Sequence, residues 1–572
     1  MSFKTAGTSN RYVFSRLNGQ LRLILVAAIV GVVGGCASVA LNLGLAAGAE
    51  LLQPVRGTWY SVLFPAVGAA LGVFFLRSVF RDSAGHGVPE IMYAISRQGG
   101  LVRLRASFSR LFSCLLTIAS GGSAGPEAPV VVSGSSIGSN IGKLFGLGDR
   151  QRVVVVCCGA ASAIAAIFNA PATGIIFALE AILEEWTPVS LVPIAIASVV
   201  GTGVSRLLQG NQIPFAHRSF EVGGPDLAVC VLLALTTALV AVVFVRLIRG
   251  VHDQMGRVLR PAWLQAATGG LMVGLLGLAL PDVLGEGYHC VRTVIEGEYT
   301  SGLMLISLCL LGKIVATSLT IGSGGSGGVF APGLVAGSLT GLAFQRSLVA
   351  MFPNVAWAGG GYYALLGMAG VISGILKAPM TGVFLIVEIT GGYDVLVSVV
   401  LVSVLSSTLS QFAEPFSFYR RELMQRRGFL KPRTDSHVLA HLDVMDLIEK
   451  DCHVVSPDLS LRGLVDIVRQ SHRNYFPVED PRSGLFMGLV QLDDIRLYLF
   501  DSSLYDLVAV ADIMNRNVER LSPEESLLGV MQRFEDTHSW SLPVVHSGRF
   551  LGLISKATLL DYYRQQLKSE ES

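Results

Sequence analysis

The residue best suited to chemistry in this sequence is a glutamate inside an apolar, glycine-rich stretch. Glu127 lies in Ser120–Ser135, which reads S-G-G-S-A-G-P-E-A-P-V-V-V-S-G-S. A carboxylate in such a segment of a membrane is costly, and residues of this kind usually have a function. An ionised Glu127 can occupy a place that an anion would fill, and a protonated Glu127 can swing away. The pattern predicts a site where protons and anions compete.

The glutamate-bearing segment occurs a second time without its carboxylate. Ser323–Ser338 reads S-G-G-S-G-G-V-F-A-P-G-L-V-A-G-S and aligns without a gap, so that Phe330 stands opposite Glu127. Two further pairs keep the same order: G-H-G-V-P from Gly85 answers G-E-G-Y from Gly285, and the A-P-A-T-G run ending at Glu180 answers the A-P-M-T-G run ending at Glu388. Two homologous halves follow, an arrangement that places the substrate site of many transporters near the bilayer midplane.

The glycines and prolines of these segments suit an anion for a physical reason. A helix that begins inside a membrane leaves its first N–H groups unpaired and carries about half a positive charge at that end. Glycine lets an ion approach the backbone, and proline in the first turn needs no N–H partner. Several such helix ends together attract an anion without a buried Lys or Arg, which would hold the anion too tightly for rapid exit.

The composition indicates a membrane protein, because 51% of the 572 residues are hydrophobic and 15% are charged. Leu21–Ala47 and Leu227–Val245 are apolar runs long enough to span the roughly 30 Å of hydrocarbon as helices. Lys4, Arg11, Arg16 and Arg22 predict a cytoplasmic N-terminus, and the basic segment Arg426–Arg433 predicts a cytoplasmic C-terminal region. The first run is too long for a signal-peptide core, so we expect it to be retained.

Other classes of function have little support. The eight cysteines form no C-x-x-C pair and mostly lie in apolar stretches, so we expect buried thiols rather than a metal site or disulfides. The sequence has no P-loop, H-E-x-x-H or G-x-S-x-G motif, which argues against an enzyme. Its basic residues are scattered, which argues against nucleic-acid binding.

A second, mixed polar module begins after Pro415 and is itself repeated. Val454–Leu461 answers Arg520–Leu527, and Y-F-P-V from Tyr475 answers S-L-P-V from Ser541. Each copy then continues into G-L-V or G-L-I, a short buried strand before a helix.

The C-terminal module resembles a tandem pair of CBS domains, a regulatory module that often holds adenine nucleotides. The nucleotide signature of that family needs a hydroxyl residue and an aspartate, and here the two are split between the copies. Asp494 is present in the first copy with Gln491 in place of the hydroxyl residue, whereas Ser555 is present in the second copy with Thr558 in place of the aspartate. Two alternatives stay open: an adenine nucleotide bound at Asp494 and Ser555, or a structural, dimer-stabilising module.

The membrane part resembles the CLC family of chloride channels and transporters from Leu21 to about Arg427. Three signatures carry the resemblance: G-H-G-V-P at Gly85–Pro89 for G-S-G-I-P, G-P-E-A-P at Gly125–Pro129 for G-(K/R)-E-G-P, and G-V-F-A-P at Gly328–Pro332 for G-x-F-x-P. The resemblance implies an inverted-repeat helical fold, chloride as the substrate, and a homodimer with one pore in each protomer.

The resemblance also implies the site residues. Glu127 corresponds to the external gating glutamate, Val329 and Phe330 to residues whose amides bind the ion, and Tyr419 to a tyrosine whose hydroxyl contacts chloride from the inner side. For Tyr419 an interfacial aromatic is the alternative. The complete predicted anion site consists of Gly85, His86, Gly87, Val88, Pro89, Gly125, Glu127, Gly328, Val329, Phe330, Ala331, Pro332 and Tyr419.

Three departures from the family pattern bear on the mechanism. His86 replaces a serine; it either alters anion preference or adds pH sensitivity, or it turns away from the ion so that only the loop backbone matters. Pro126 and Ala128 flank Glu127 in place of a basic residue and a glycine, which removes a nearby positive charge. Ala181 stands where proton-coupled exchangers of the family usually carry an inner glutamate, and this favours a passive channel. Glu180 is not expected to replace that glutamate, because its repeat partner Glu388 indicates a shared structural function for both.

We therefore predict a polytopic α-helical membrane protein of the cell (inner) membrane, followed by a cytoplasmic α/β tandem CBS module. The expected function is Glu127-gated passive chloride conduction; the alternatives are chloride/proton exchange by an atypical proton path and a CBS-regulated membrane sensor. No metal or other cofactor is expected. The predicted boundaries are an N-terminal segment 1–19, a membrane domain 20–425 with repeats at about 20–205 and 225–412, a linker 426–439, and CBS domains 440–500 and 505–568.

Overall fold

The computed structural model describes residues 19–55, 58–82, 87–211, 215, 220, 222–427, 444–525, 527–537 and 539–562. The chain divides into two compact units, Met1–Phe429 and Leu430–Ser572. Each unit is considered by itself below. The predicted site residues Gly85 and His86, the N-terminal segment 1–18 and the linker 428–443 lie outside the described residues.

The first unit is helical throughout its described residues. Its helices are α1 (Gly19–Leu52), α2 (Leu63–Phe74), α3 (Val88–Arg97), α4 (Ala106–Ala119), α5 (Glu127–Leu144), α6 (Asp149–Phe168), α7 (Pro171–Phe177), α8 (Pro188–Gln209), α9 (Gly224–Val258), α10 (Ala262–Ala279), α11 (Tyr288–Glu296), α12 (Leu303–Gly322), α13 (Phe330–Met351), α14 (Gly360–Leu376), α15 (Pro379–Thr390), α16 (Leu396–Ala413) and α17 (Phe418–Arg427). Short 3-10 and π-helical turns extend α1, α2 and α7.

Nine helical stretches within the described residues are long and apolar enough to cross a bilayer. They include α1 and α9, the two longest helices, which contain the apolar runs noted in the sequence. Shorter apolar helices, among them α4, α14 and α15, lie between them. Helices are the expected form because each satisfies its own backbone hydrogen bonds in lipid. The unit is therefore built as a multi-pass membrane protein.

The two halves of the first unit repeat each other helix by helix. Helix α5 packs against α6 as α13 packs against α14, and α8 packs against α6 as α16 packs against α14. The same glycine contact serves both halves: a Cβ on Gly134 or Gly159 would overlap the other residue's carbonyl, and Gly337 and Gly367 meet in the same way. Small residues let membrane helices pack backbone to backbone. The internal repeat of the sequence is thus a repeat of structure.

The second unit contains two similar halves, each with an antiparallel strand pair. The first half has α18 (Leu461–Gln470), β1 (Tyr475–Glu479), β2 (Phe486–Gln491) and α19 (Leu492–Ile495); the second has α20 (Val510–Ile513), α21 (Leu527–Thr537), β3 (Ser541–His546) and β4 (Arg549–Ser555). Strand β1 pairs with β2, and β3 pairs with β4. Val455 forms a parallel bridge to Val478, and Leu521 forms the equivalent bridge to Val544.

The two halves of the second unit exchange their leading segments. Glu449 precedes α18 of the first half but bridges to Leu553 on β4, whereas Asn515 lies between α20 and α21 of the second half but bridges to Leu489 on β2. The hydrophobic cores follow the same crossing, since Val444 and Leu447 pack with the second half and Val510 and Met514 pack with the first. Each core is therefore completed by residues from the other end of the unit.

Candidate functional site

The two glycine loops that repeat in the sequence meet in the structure. The Gly125 amide donates to the Gly328 carbonyl at 2.9 Å, and the Gly328 amide donates to the Gly125 carbonyl at 2.6 Å. Each loop leads directly into a helix, α5 beginning at Glu127 and α13 at Phe330. The N-terminal ends of two helices from opposite halves therefore open at one place, where both supply partial positive charge.

Hydroxyl groups on α12 hold the first loop in position. The Ser123 amide donates to Thr320 Oγ1 at 3.0 Å, and the Ser123 and Thr317 hydroxyls are 2.9 Å apart. All three side chains are buried. Buried polar groups of this kind contribute stability only when they are paired, so the loop has one preferred position.

The Glu127 carboxylate occupies the space in front of both loops. Its side chain is 1% exposed. A Cβ on Gly125 would overlap Glu127 Oε2 and would lie 3.0 Å from the Ala331 amide nitrogen, and a Cβ on Gly328 would lie 3.4 Å from the same oxygen. One carboxylate oxygen therefore lies close to both loops, next to the two helix starts. Glycine at position 125 is required because any side chain there would fill the carboxylate's space.

A tyrosine from the second half binds the other carboxylate oxygen. The Tyr288 hydroxyl donates to Glu127 Oε1 at 2.9 Å, whereas the buried Oε2 has no hydrogen-bond partner among the described residues. Tyr288 is the first residue of α11. Sequence reasoning missed this residue, although G-E-G-Y was already paired with G-H-G-V-P; that pairing was the available signal.

The other residues of the second-half loop surround the same place. Val329, Phe330 and Ala331 are each no more than 1% exposed, and Pro332 is also buried. The Phe330 ring lies against Phe168 and Phe177, with ring centroids 5.4 and 6.2 Å away. The repeat copy of Glu127 is thus an aromatic core residue that packs on helices of the first half.

The third predicted loop leads into α3, and this helix packs against α5. Gly87 precedes the helix, and a Cβ there would lie 2.6 Å from Val132 Cγ2; Val88 and Pro89 are buried in its first turn. Tyr419 is 2% exposed on α17, which packs against α3. A cavity of about 280 Å³ borders Pro89 and Val132 beside α17. These residues lie together, but their roles in binding an anion stay predictions.

Two further glutamates join the halves rather than enter the site. Glu180 accepts hydrogen bonds from the amides of Met380 and Thr381 and from the Thr381 hydroxyl, at 3.1, 2.7 and 2.7 Å. Glu388 accepts the equivalent bonds from Ala172 and Thr173 at 2.8, 2.7 and 2.7 Å. Each carboxylate caps the N-terminus of the other half's helix, α15 or α7. The shared structural role expected from the repeat is confirmed.

Glu180 and Glu184, which follow α7 in the first half, are both engaged by protein groups. Ala181 follows Glu180 and carries no ionisable group. Further along, Glu184 lies 3.7 Å from the Arg420 guanidinium of α17. The carboxylate neighbouring Ala181, that of Glu180, is committed to α15.

The residues proposed for nucleotide binding are engaged with protein groups. Asp494 accepts a hydrogen bond from the Gln491 amide at 3.1 Å and so caps α19. The Ser555 hydroxyl donates to Glu449 Oε1 at 2.7 Å, and the Thr558 hydroxyl donates to the same oxygen. Arg473 pairs with Glu449 Oε2. A carboxylate of the protein thus occupies the Ser555 site, where it would repel a phosphate.

This network makes the second unit sensitive to acid. Burial raises the pKa of Glu449, but the Thr558 and Ser555 hydroxyls and the Arg473 guanidinium together lower that pKa below its ordinary value. A carboxylate with a depressed pKa stabilises the fold above its ordinary pKa of about 4.3, and this stability is lost as the pH falls through the lower, folded-state pKa.

Replacing Glu449 by Gln should therefore weaken the second unit at pH 7 and reduce its loss of stability in acid. Hydrogen exchange in the full chain measures this: protection of β3 and β4 should fall about tenfold at pH 7, as expected for loss of one hydrogen-bonded charge. Glu524→Gln removes an exposed carboxylate of the same unit and should leave protection unchanged. Equal protection in the two variants would contradict the prediction.

Comparison with known proteins gives matches over most of the chain. A family model described as "Voltage gated chloride channel" matches residues 68–411, and a CBS domain model matches residues 510–565. Chloride channel protein CLC-f of Arabidopsis thaliana is 27% identical over 649 residues, 96% of this chain and 81% of that protein. The H(+)/Cl(-) exchange transporter ClcA of Cronobacter sakazakii (strain ATCC BAA-894) is 29% identical over 426 residues, 70% of this chain and 89% of that protein.

A solved structure is also similar. The crystal structure of a slow cyanobacterial Cl-/H+ antiporter superposes with a TM-score of 0.65 at 21% identity, over 72% of this chain and 98% of that one. At this identity the similarity concerns the fold.

Proposed function

Since this chain belongs to the voltage-gated chloride channel (CLC) family of anion-transport proteins, we propose that it conducts chloride passively, with the Glu127 carboxylate as the gate. The predicted fold class, a polytopic CLC membrane domain followed by a CBS module, is confirmed. The chain is a transport protein and not an enzyme. What remains is how the residues of this chain control the anion.

One observation supports the gate: the Glu127 carboxylate lies where the N-terminal ends of α5 and α13 meet. While it is ionised, its negative charge is attracted to those ends and excludes a second anion. When it takes up a proton, its attraction to the helix ends falls, the side chain leaves, and chloride takes its place beside the same backbone. Anion flux should therefore rise as the pH falls.

Passive conduction is the preferred reaction because the chain offers no second proton station at the expected place. Position 181 is alanine, and Glu180 is held by α15 through three hydrogen bonds. A proton that reaches Glu127 then has no carboxylate of the usual kind to carry it onward. Chloride/proton exchange is the second candidate, and the name of the ClcA relative favours it.

Proton pumping in reconstituted liposomes distinguishes the two reactions. An outward chloride gradient is imposed with the membrane potential clamped, and the internal pH is followed. A channel moves chloride without moving protons against their gradient, so the pH should stay constant. Uphill proton movement that stops in the Glu127→Gln protein would replace the channel proposal with exchange.

Replacing Tyr288 by Phe should move the pH dependence of flux toward alkaline pH. The Tyr288 hydroxyl donates a hydrogen bond to the Glu127 carboxylate. A hydrogen bond to a charged group contributes about 1.5–3 kcal/mol. Without it Glu127 takes up a proton more easily, and the pH of half-maximal flux should rise by about one to two units. Chloride efflux at stepped pH measures this. A half-maximal pH unchanged or moved downward would contradict it.

The remaining predictions concern assembly and location. We propose a homodimer with one pore in each protomer, located in the cell (inner) membrane with both termini in the cytoplasm. The equivalent helices α8 and α16 support the dimer because both expose apolar side chains, among them Leu191, Val199, Val397 and Val404. Chemical cross-linking in liposomes tests the dimer, and accessibility of a terminal tag tests the orientation.

The CBS module can regulate transport, and adenine nucleotide at Asp494 and Ser555 stays a proposal. A nucleotide must first displace Glu449 from Ser555, so we expect weak binding in the full-length protein. Binding of ATP to the purified protein, compared with Glu449→Gln, tests this. A sensor that conducts little is the third possibility, and it would show tight nucleotide binding without measurable anion flux.

A further inference from the structure

A second carboxylate, half-buried, lies in the loop that contacts Glu127 through Tyr288. Glu286 is the middle residue of the G-E-G sequence that leads into α11, and its buried Oε1 atom has no hydrogen-bond partner among the described residues. The flanking backbone is fixed on both sides, because the Gly285 amide donates to the Gly121 carbonyl at 3.2 Å and Tyr288 donates to Glu127. Tyr288 follows Glu286 by two residues and donates to Glu127 Oε1, so both carboxylates adjoin the same loop.

A buried lysine adjoins the loop that contains Glu286. Lys313 on α12 is fully buried, and its Nζ donates to the carbonyls of Val283 at 3.1 Å and Gly285 at 2.9 Å. A Cβ on Gly287 would lie 3.1 Å from the same nitrogen, so the lysine adjoins the loop on both sides of Glu286. With both glutamates ionised, the cluster would hold one more negative charge than positive charges.

We propose that Glu286 is a second proton-binding site of the anion pathway and that it shares one proton with Glu127. The inference rests on the proposed gating by Glu127. Two carboxylates in a site of low polarity disfavour each other's ionised form, so the pair retains one proton over a wide range of pH. Ionised Glu286 thus makes Glu127 easier to protonate and sets the pH at which the pathway opens.

Other charged or titratable groups surround Glu286. Lys313 approaches from α12, Glu127 from α5 and Cys114 from α4, while Tyr288 lies on α11 and Asp282 precedes the loop. Lys313 opposes the effect by favouring an ionised Glu286. The positive charge of Lys313 compensates the negative charge of one carboxylate. The other carboxylate carries the proton that the pair shares. Asp282 is exposed, and water screens its charge from the pair.

The test compares pH profiles of chloride efflux from liposomes for the wild type, Glu286→Gln, Glu127→Gln and the matched control Asp282→Asn. Removing the charge of Glu286 makes Glu127 harder to protonate. The half-maximal pH should therefore fall by about one unit, a tenfold rise in the proton concentration needed. Asp282→Asn removes the same formal charge four residues earlier in the chain, and its pH profile should match that of the wild type.

The outcomes separate this inference from the gating proposal. A pH-dependent Glu127→Gln protein would overturn the gating proposal itself. A flat Glu127→Gln profile together with a Glu286→Gln profile identical to the wild type would overturn only the shared proton. Should the Gln variant fail to fold, Glu286→His applies the same test, because a protonated imidazole beside Glu127 should lower the half-maximal pH further; an unchanged or higher value would overturn the inference.

Discussion

Replacement of Glu127 by Gln is expected to remove most of the pH dependence of anion flux. The amide has nearly the shape of the protonated acid, and it carries no charge with which to satisfy the ends of α5 and α13. Wild-type flux should rise about tenfold for each unit by which the pH falls toward the gating range. Flux through Glu127→Gln should be high, and it should be the same within about twofold at pH 7.5 and pH 4.5 by that scale.

Chloride efflux from liposomes measures both proteins, with Glu50→Gln as the control. Glu50 is an exposed carboxylate on α1, and its removal should leave the profile unchanged. Thermal unfolding of the purified variants shows whether each is folded. A folded Glu127→Gln protein that kept the wild-type profile would mean that another group controls the pathway.

Loss of either Glu180 or Glu388 is expected to destabilise the membrane unit strongly. Each carboxylate accepts three hydrogen bonds at the start of a helix from the opposite half. Both carboxylates are half-buried, and loss of such a hydrogen-bonded charge typically costs about 1.5–3 kcal/mol, because the remaining donors lose their acceptor. The alanine variants should therefore unfold at markedly lower temperature in detergent than the wild type.

Thr381→Val is the graded control for this effect. It removes only the hydroxyl that donates to Glu180 and leaves both amide bonds, so the loss should be about 1 kcal/mol. Since Glu180 and Glu388 cap different helices, the double alanine variant should be less stable than either single variant. Alanine variants as stable as Thr381→Val would show that the two carboxylates do not hold the halves together.

The repeat made the centre of this site predictable. The gapless match of Glu127 with Phe330 required two equivalent helix starts, and the structure brings those starts together through Gly125 and Gly328. The structural role of Glu180 followed from its partner Glu388 in the same way. In both cases the same motif occurs in each half of the sequence. A feature that both copies have reflects the architecture that the two halves share.

Features present in only one copy were harder to find. Tyr288 lies 161 residues from the glutamate to which it donates, and the position opposite it, Val88, has no hydroxyl group. The crossed segments of the second unit were also missed, because hydrophobic alternation identifies a strand but not its partner in the other half. Glu449 reaches Ser555 across 106 residues for that reason. The predicted domain boundaries stay predictions.

The backbone bridge between Gly125 and Gly328 limits how fast and by what movement the pathway can switch. Two main-chain hydrogen bonds tie together the loops from opposite halves, so hinge opening of one half would first have to break both of them. Rotation about the bonds of a single side chain breaks neither, and rotamer changes are much faster than collective motions of helices. Arrival and departure of the proton, rather than rearrangement of the scaffold, should then set the dwell times of single conduction events.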